Sequence, residues 1–317
     1  MKKIISLFMA AIMLFMVGCS NNNNEVNSNT SEGNTNNKVT TLKFGLLPAE
    51  SAIPFIVAKE KGFFEKNGLN VELTMFNSPN DRNTALQGKQ LDGTIGDIMT
   101  AFSFNNAGIK MKIVSDINED FKVIASPKSG ITDIKGLDQK KVSLVPNFVL
   151  EYIMDKIAQK NNITYNIVDI PSIPARFEAV LANTVDAVVF TEPQATQLKE
   201  KGAIIVASSK EEDIKAGAIL MTESYIKENN KAMKMFYKAY NEAIDYINNN
   251  SPDNYSELLK KYNFSDETVK YLKEADYDKA NDISSSTFND VLAWSKSKKL
   301  TDKDFKYEDL TDFSFVD

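Results

Sequence analysis

Apolar positions along this chain fall into three regimes. The first is a single block, Ile4 to Val17, broken only by Ser6, preceded by Lys2-Lys3 and closed by Gly18-Cys19. A membrane-spanning helix needs about 20 apolar residues, so this shorter block with its basic start reads as a secretory leader over residues 1–18. The second regime, Ser20 to Asn37, is nearly all Asn, Ser, Thr, Gly and Glu. It has too little apolar surface to offset the entropy of ordering, and residues 19–38 are expected to be a disordered tether. A flexible coil of that length reaches roughly 20–25 Å.

The third regime begins at Thr41, where short apolar runs alternate with stretches of helical spacing. Leu42 to Leu47 reads as a strand, and Ile53 to Lys61 as a helix with Pro54 in its first turn. Val71 to Phe76 is the next strand. Pro79 to Gln87 is a helix capped by Ser78 and ended by Gly88, and Gly93 to Gly96 is a short buried strand whose successor, Asp97, caps a helix through Ala107. The pattern then restarts. Strands are expected at Val142–Val145, Tyr165–Ile170 and Ala187–Phe190, and helices at Phe148–Gln159 and Ala175–Ala182. A further helix opens at Thr191-Glu192-Pro193-Gln194, with Thr191 as N-cap and Gln194 completing a capping box.

Val71–Ile98 lies over Tyr165–Glu192 at a constant offset without a gap. Ser78 falls on Ser172, Arg82 on Arg176, Ala85 on Ala179 and Asp92 on Asp186, and the cap Asp97 falls on Thr191. One α/β unit is therefore built twice, each time as strand–helix–strand with short links, which predicts parallel sheets covered by helices on both faces. From Tyr225 onward the chain is helical. Met233, Phe236, Tyr237, Tyr240, Ala243, Ile244 and Ile247 share one face, and further helices are expected at Tyr255–Tyr262, Asp266–Ala275 and Ser286–Lys296. This segment is expected to pack mostly on the first unit. The domain plan is then residues 40–125 plus 215–317 for lobe 1 and 126–214 for lobe 2.

Composition narrows the chemistry. With 37 basic and 43 acidic residues the net charge is −6, more acidic still once Lys2 and Lys3 leave with the leader, which argues against nucleic acid as a partner. There is no histidine, so Ser-His-Asp catalysis and His-based zinc sites are out of reach. The one cysteine, Cys19, sits where a leader would be cut, and small residues before a lone Cys suggest lipid attachment to its sulfur. No phosphate loop and no metal-ligand cluster stands out, and no cofactor is called for.

Leu42-Lys43-Phe44-Gly45, followed by Pro54 and the string Ala58-Lys59-Glu60-Lys61-Gly62-Phe63-Phe64-Glu65-Lys66-Asn67-Gly68-Leu69, resembles the opening of the nitrate/sulfonate/taurine-type substrate-binding proteins of ABC importers. Ala85-Leu86 through Asp92-Gly93, Asp186-Ala187, Glu192-Pro193 and, near the end, Trp294–Lys299 and Tyr307-Glu308-Asp309-Leu310 are similar to that family as well. Met16-Val17-Gly18-Cys19 resembles a bacterial lipoprotein signal. The resemblance implies a two-lobed periplasmic-binding-protein type II fold with two mixed, mostly parallel sheets. It implies ligand in the cleft, hinge closure, a permease as partner, a monomer, and a lipid anchor on the outer face of the cytoplasmic membrane; the plentiful Lys, Asn and Ile are associated with low-GC bacteria. Thiamine-pyrimidine synthases of the same superfamily use His and Cys, and the absence of His excludes that enzyme reading. A same-fold enzyme of another kind, or a surface sensor lipoprotein, stays as an alternative.

Ligands of open parallel sheets sit beyond the strands' carboxyl ends, at helix N-termini. That rule selects Glu50 and Ser51 after the first strand, Asn80 and Arg82, Gly96 and Asp97, Asn147 and Phe148, and Arg176 with Thr191 and Glu192. Arg82 and Arg176 are the only arginines in the chain and occupy equivalent places in the two repeats. A guanidinium fork suits a carboxylate, sulfonate or phosphate, so the pair is expected to clamp an anion from opposite walls, unless each is neutralised locally by an acid such as Asp81 or Glu178. Glu50 and Glu192, if both face inward, favour a ligand that also carries an amine or ring N–H.

Overall fold

The structure, a computed structural model, describes residues 40–262, 264–266, 271–273 and 275–316. The leader, Cys19 and the tether lie outside the described residues, as does much of the helix expected at 266–275. Among the described residues no helix is long and apolar enough to cross a membrane.

Among the described residues ten strands form two five-stranded mixed sheets. The first holds β1 (Thr40–Leu46), β2 (Leu69–Met75), β3 (Gly93–Asp97), β4 (Met111–Ser115) and β10 (Gly217–Thr222) in the order β2-β1-β3-β10-β4. The second holds β5 (Lys122–Ala125), β6 (Lys140–Leu144), β7 (Tyr165–Asp169), β8 (Ala187–Phe190) and β9 (Ile204–Ser208) in the order β7-β6-β8-β5-β9. In each sheet the first three strands of the repeat pair in parallel, as β1 does with β2 from Thr40–Leu69 to Leu46–Met75. In each, one antiparallel strand, β10 or β5, fills the same fourth slot. These two strands flank the places where the chain passes between sheets. Because β5 pairs with β8 and β9, the first passage lies at residues 116–121, ahead of the boundary expected after residue 125.

Seven helices position the site, and three of them carry a side-chain N-cap. The seven are α1 (Ile53–Glu60), α2 (Phe63–Lys66), α3 (Pro79–Gln87), α4 (Ile98–Asn106), α5 (Val149–Asn161), α6 (Ile173–Leu181) and α7 (Gln194–Glu200). Ser78, Asp97 and Ser172 accept the N–H groups of Asp81, Thr100 and Ala175, each such cap adding about 1 kcal/mol. The start of α7 differs from expectation. Thr191 is too far upstream to reach the helix N–H groups, and its hydroxyl donates to Glu192 O instead. The longer Glu192 side chain accepts Thr196 N at 2.9 Å and does the capping. Gln194 forms no capping box, because its amide donates to Pro48 O.

Three apolar clusters hold this frame. One joins the first sheet to α1, α2 and α8 (Asn230–Asn249), where the ring of Phe236 meets Phe44, Phe55 and Phe64 at 5.4, 5.6 and 5.8 Å. Each such buried side chain stabilises by about 1.5–3 kcal/mol. A second runs from Leu86 and Phe102 beside the first sheet to Val123, Leu144 and Ile153 beside the second. The third covers the outer face of the second sheet with Val180, Ala195 and Leu198 of α6 and α7. Of the C-terminal helices, which were expected mostly on the first unit, Ser285–Ser297 packs on α4 but also bonds to α5.

Candidate ligand-binding site

The carboxyl ends of β1, β3, β6 and β8 and the first turns of α3, α5, α6 and α7 converge on a cavity of about 100 Å³. Its walls come from both sheets and are largely apolar, with Leu47, Ile117, Val145, Ile173 and Phe190 among them. Four hydrogen bonds close the halves over it: Glu50 N to Glu192 O at 2.8 Å, Ile173 N to Asn77 O at 2.9 Å, Gln194 Nε2 to Pro48 O at 2.9 Å and Val149 N to Asp97 Oδ2 at 3.2 Å.

Both arginines line this cavity and both are buried, at 2% and 3% exposure. Neither pairs with the acid that stood as its local partner. Asp81 is taken by the Ser78 hydroxyl, and Glu178 lies on the exposed face of α6. Arg82 donates through Nη1 to Ile95 O at 2.8 Å and through Nε and Nη2 to Asn83 Oδ1. Arg176 lies over the ring of Phe190 at 4.6 Å and donates through Nη1 to Ile170 O, while its buried Nε has no partner. Among the described residues no carboxylate comes within ion-pair distance of either guanidinium. Burial lowers both to about 10, with Asp97 and Asp169 respectively opposing the drop, so both stay charged at neutral pH.

Ser51, Gly96, Asp97, Phe148 and Thr191 also line the cavity, as the strand-end rule placed them. Gly96 leaves room there, since a Cβ would press on Leu220 and approach Arg82 Nη2. Asn80 and Asn147 are not in the wall and are exposed. Asn147 turns the chain at φ 70°, and its N–H donates to Glu151. Glu50 and Glu192 face a separate groove of about 950 Å³ beside the passage between sheets. Glu50 accepts from Asp120 N and from the Tyr271 hydroxyl. Glu192 pairs with Lys122 at 2.5 Å. Burial pushes the Glu50 carboxyl up to about 8 despite Tyr271 and Lys122. Burial alone would lower Lys122, but Glu192, Asp120 and Glu50 outweigh it and hold the ammonium above its ordinary value. With both carboxylates occupied there, the amine they would have favoured has no partner among them.

These features, a duplicated α/β unit and a cation-walled cavity between two sheets, coincide with what comparison finds. The NMT1/THI5-like description matches residues 50–254. The chain belongs to the NMT1/THI5-like family. A Bacillus subtilis protein provisionally named as aliphatic sulfonates-binding is 24% identical over 255 residues, covering 77% of this chain and 74% of that protein. The alkanesulfonate-binding protein SsuA from Xanthomonas axonopodis pv. citri, solved with MOPS, superimposes with a TM-score of 0.75 at 15% identity, over 86% of this chain and 98% of that one. The periplasmic nitrate-binding protein NrtA from Synechocystis PCC 6803 gives a TM-score of 0.71 at 16% identity, over 88% and 87%. This NMT1/THI5-like chain has the periplasmic-binding-protein type II fold, and these relatives are binding proteins rather than enzymes.

Two wall residues of this NMT1/THI5-like chain carried no signal in its sequence. Glu119 lies in the passage between sheets, where no periodic pattern marks a position. Its Oε1 accepts Ala216 N and Gly217 N at 2.9 and 3.0 Å. Gln194 looked like part of a cap, and only the three-dimensional approach of Pro48 shows it spanning the cavity rim.

Proposed function

We propose that the chain is the extracytoplasmic solute-binding subunit of an ABC importer, and that its ligand is a small organic monoanion held between Arg82 and Arg176. The observation that carries this is the pair of buried guanidiniums on one cavity without a carboxylate partner. A buried cation with no carboxylate at ion-pair distance is costly, and an anionic headgroup removes that cost while filling the vacant donor of Arg176. Helix N-termini from both halves add their positive dipole ends. The apolar wall suits a short hydrocarbon tail. A cavity near 100 Å³ is well below the roughly 300–1,000 Å³ of drug-sized sites. The sulfonate and nitrate named for the relatives are likewise small anions.

The two sheets act as lobes hinged at residues 116–121 and 209–216, and ligand touching both favours the closed form. Cys19 carries the lipid that holds the protein at the outer face of the membrane, where the permease receives the ligand. No cofactor takes part. A thermal-shift panel of methanesulfonate, ethanesulfonate, nitrate, taurine, neutral sugars and amines tests the ligand class. A monoanion at a hundred times its dissociation constant should stabilise the protein by about 2.7 kcal/mol. Stabilisation by amines or sugars alone would refute the reading.

A further inference from the structure

We propose that Glu119 enters the closed cavity as a neutral acid and thereby sets the site for a singly charged anion, so that binding takes up one proton. The inference rests on the anion reading above and goes beyond it to the ligand's charge and its pH linkage.

The cavity wall holds four ionisable side chains: Arg82, Arg176, Asp97 and Glu119. With Glu119 ionised their charges cancel, and an anion enters a neutral site. With Glu119 protonated the site carries one positive charge, which a monoanion neutralises. The hydrogen bonds leave room for that proton. Oε1 of Glu119 accepts both the Ala216 and Gly217 N–H groups, whereas Oε2 only shares the Gly217 N–H at 3.0 Å. Oε2 can carry a proton while Oε1 keeps both donors. Gly217 makes the seat possible, because a Cβ there would overlap Oε2.

Glu119 also lines the large groove on the other side of the passage, which gives it a route to solvent protons. Asp116 and Lys215 act on it in opposite senses, and Tyr152 of α5 also feels its charge. Burial pushes its carboxyl up to about 7, against the pull of the Gly217 and Ala216 N–H groups. A bound anion raises it further, since like charges at one site disfavour double ionisation.

Calorimetry with methanesulfonate between pH 5.5 and 8.5, in buffers of different ionisation heat, tests this. Wild-type protein should take up close to one proton per ligand near pH 8, with affinity falling about tenfold per pH unit above about 7. Glu119→Gln, which keeps an acceptor for both N–H groups and a donor that cannot titrate, should bind with the wild-type low-pH affinity and a flat profile. Glu50→Gln should keep the wild-type slope, which separates the cavity from the groove even if Glu119→Gln fails to fold. Proton uptake that survives in Glu119→Gln, or vanishes in Glu50→Gln, overturns the proposal. So does pH-independent binding in the wild type, which would leave the anion reading standing. If neither methanesulfonate nor any other monoanion binds at any pH, both fall together.

Discussion

Val149 donates its backbone N–H to Oδ2 of Asp97 across the ligand cavity at 3.2 Å, while the other oxygen of that carboxylate accepts Thr100 N at 2.7 Å and caps α4. One side chain therefore ends a helix in the first half and holds the first turn of a helix in the second. Val149 is the first residue of α5, and Phe148 before it is extended at φ −122° and ψ −179°. Proline is tolerated at a first helical position, and an extended residue suits the place before it. Val149→Pro should therefore delete the bridging donor alone, leaving charge and cap intact. Hydrogen bonds to charged groups contribute about 1.5–3 kcal/mol, so ligand release should quicken roughly 10–100-fold with little change in melting temperature. Stopped-flow displacement measures it, and an unchanged release rate would show that the bridge does not hold the closed form.

Arg176 has a thinner set of protein contacts than Arg82: one backbone carbonyl, the face of Phe190 and an unpartnered Nε. Arg176→Met keeps the volume and removes the charge. Replacing a buried cation that lacks a carboxylate by an apolar side chain is neutral or stabilising for the fold. Removing one member of a buried charge pair costs about 2–5 kcal/mol of binding. The variant should melt at or above the wild-type temperature and lose at least about thirtyfold in anion affinity by calorimetry. Retained affinity would remove Arg176 from the ligand's partners.

How much of this was legible depended on what each residue does locally. β1, β2 and β3 and their counterparts β6, β7 and β8 could be read because helix caps and turns punctuate them, and because the unit recurs. The strands β4, β5, β9 and β10 are runs of four to six residues without such marks, and a short apolar run does not distinguish strand from buried helix. The arginines stood out by rarity and matched position. Glu50 and Glu192 follow the expected strand ends but face the groove rather than the cavity, since a strand-end rule locates a loop and not the direction of its side chains. Glu119 is held by Ala216 and Gly217, nearly a hundred residues downstream, and nothing local announces it.

Trp294, the only tryptophan in the chain, sits where the two halves meet on the C-terminal side. Its Nε1 donates to Asp155 Oδ2 at 2.9 Å, its ring meets Tyr152 edge-on at 5.5 Å, and Lys298 Nζ lies 5.6 Å from its centroid. Asp155 and Tyr152 belong to α5, whereas Trp294 rides on the helix that also packs on α4. Opening the cavity should break the indole hydrogen bond and wet the ring. Saturating ligand is expected to shift tryptophan emission to the blue, and Asp155→Ala should diminish the shift. No spectral change with ligand bound by calorimetry would mean that this contact is rigid through the cycle.

Glu50 is 2% exposed, with Asp120 N at 2.5 Å from Oε1 and the Tyr271 hydroxyl bonded to Oε2. Burial raises its carboxyl from 4.5 to about 8. A carboxyl raised in the folded state stabilises it fully below about 4.5, and that contribution is lost as pH climbs through about 8. Gln at this position can still accept Asp120 N and can donate to the Tyr271 oxygen, but it never has to ionise in a buried place. Glu50→Gln should therefore match the wild type near pH 5 and exceed it at pH 9 by on the order of 2–4 kcal/mol. Urea unfolding at pH 5, 7 and 9 reads this directly. A difference that stays constant across the range would mean that Glu50 ionises without cost inside the fold, and that Lys122 rather than a proton balances it.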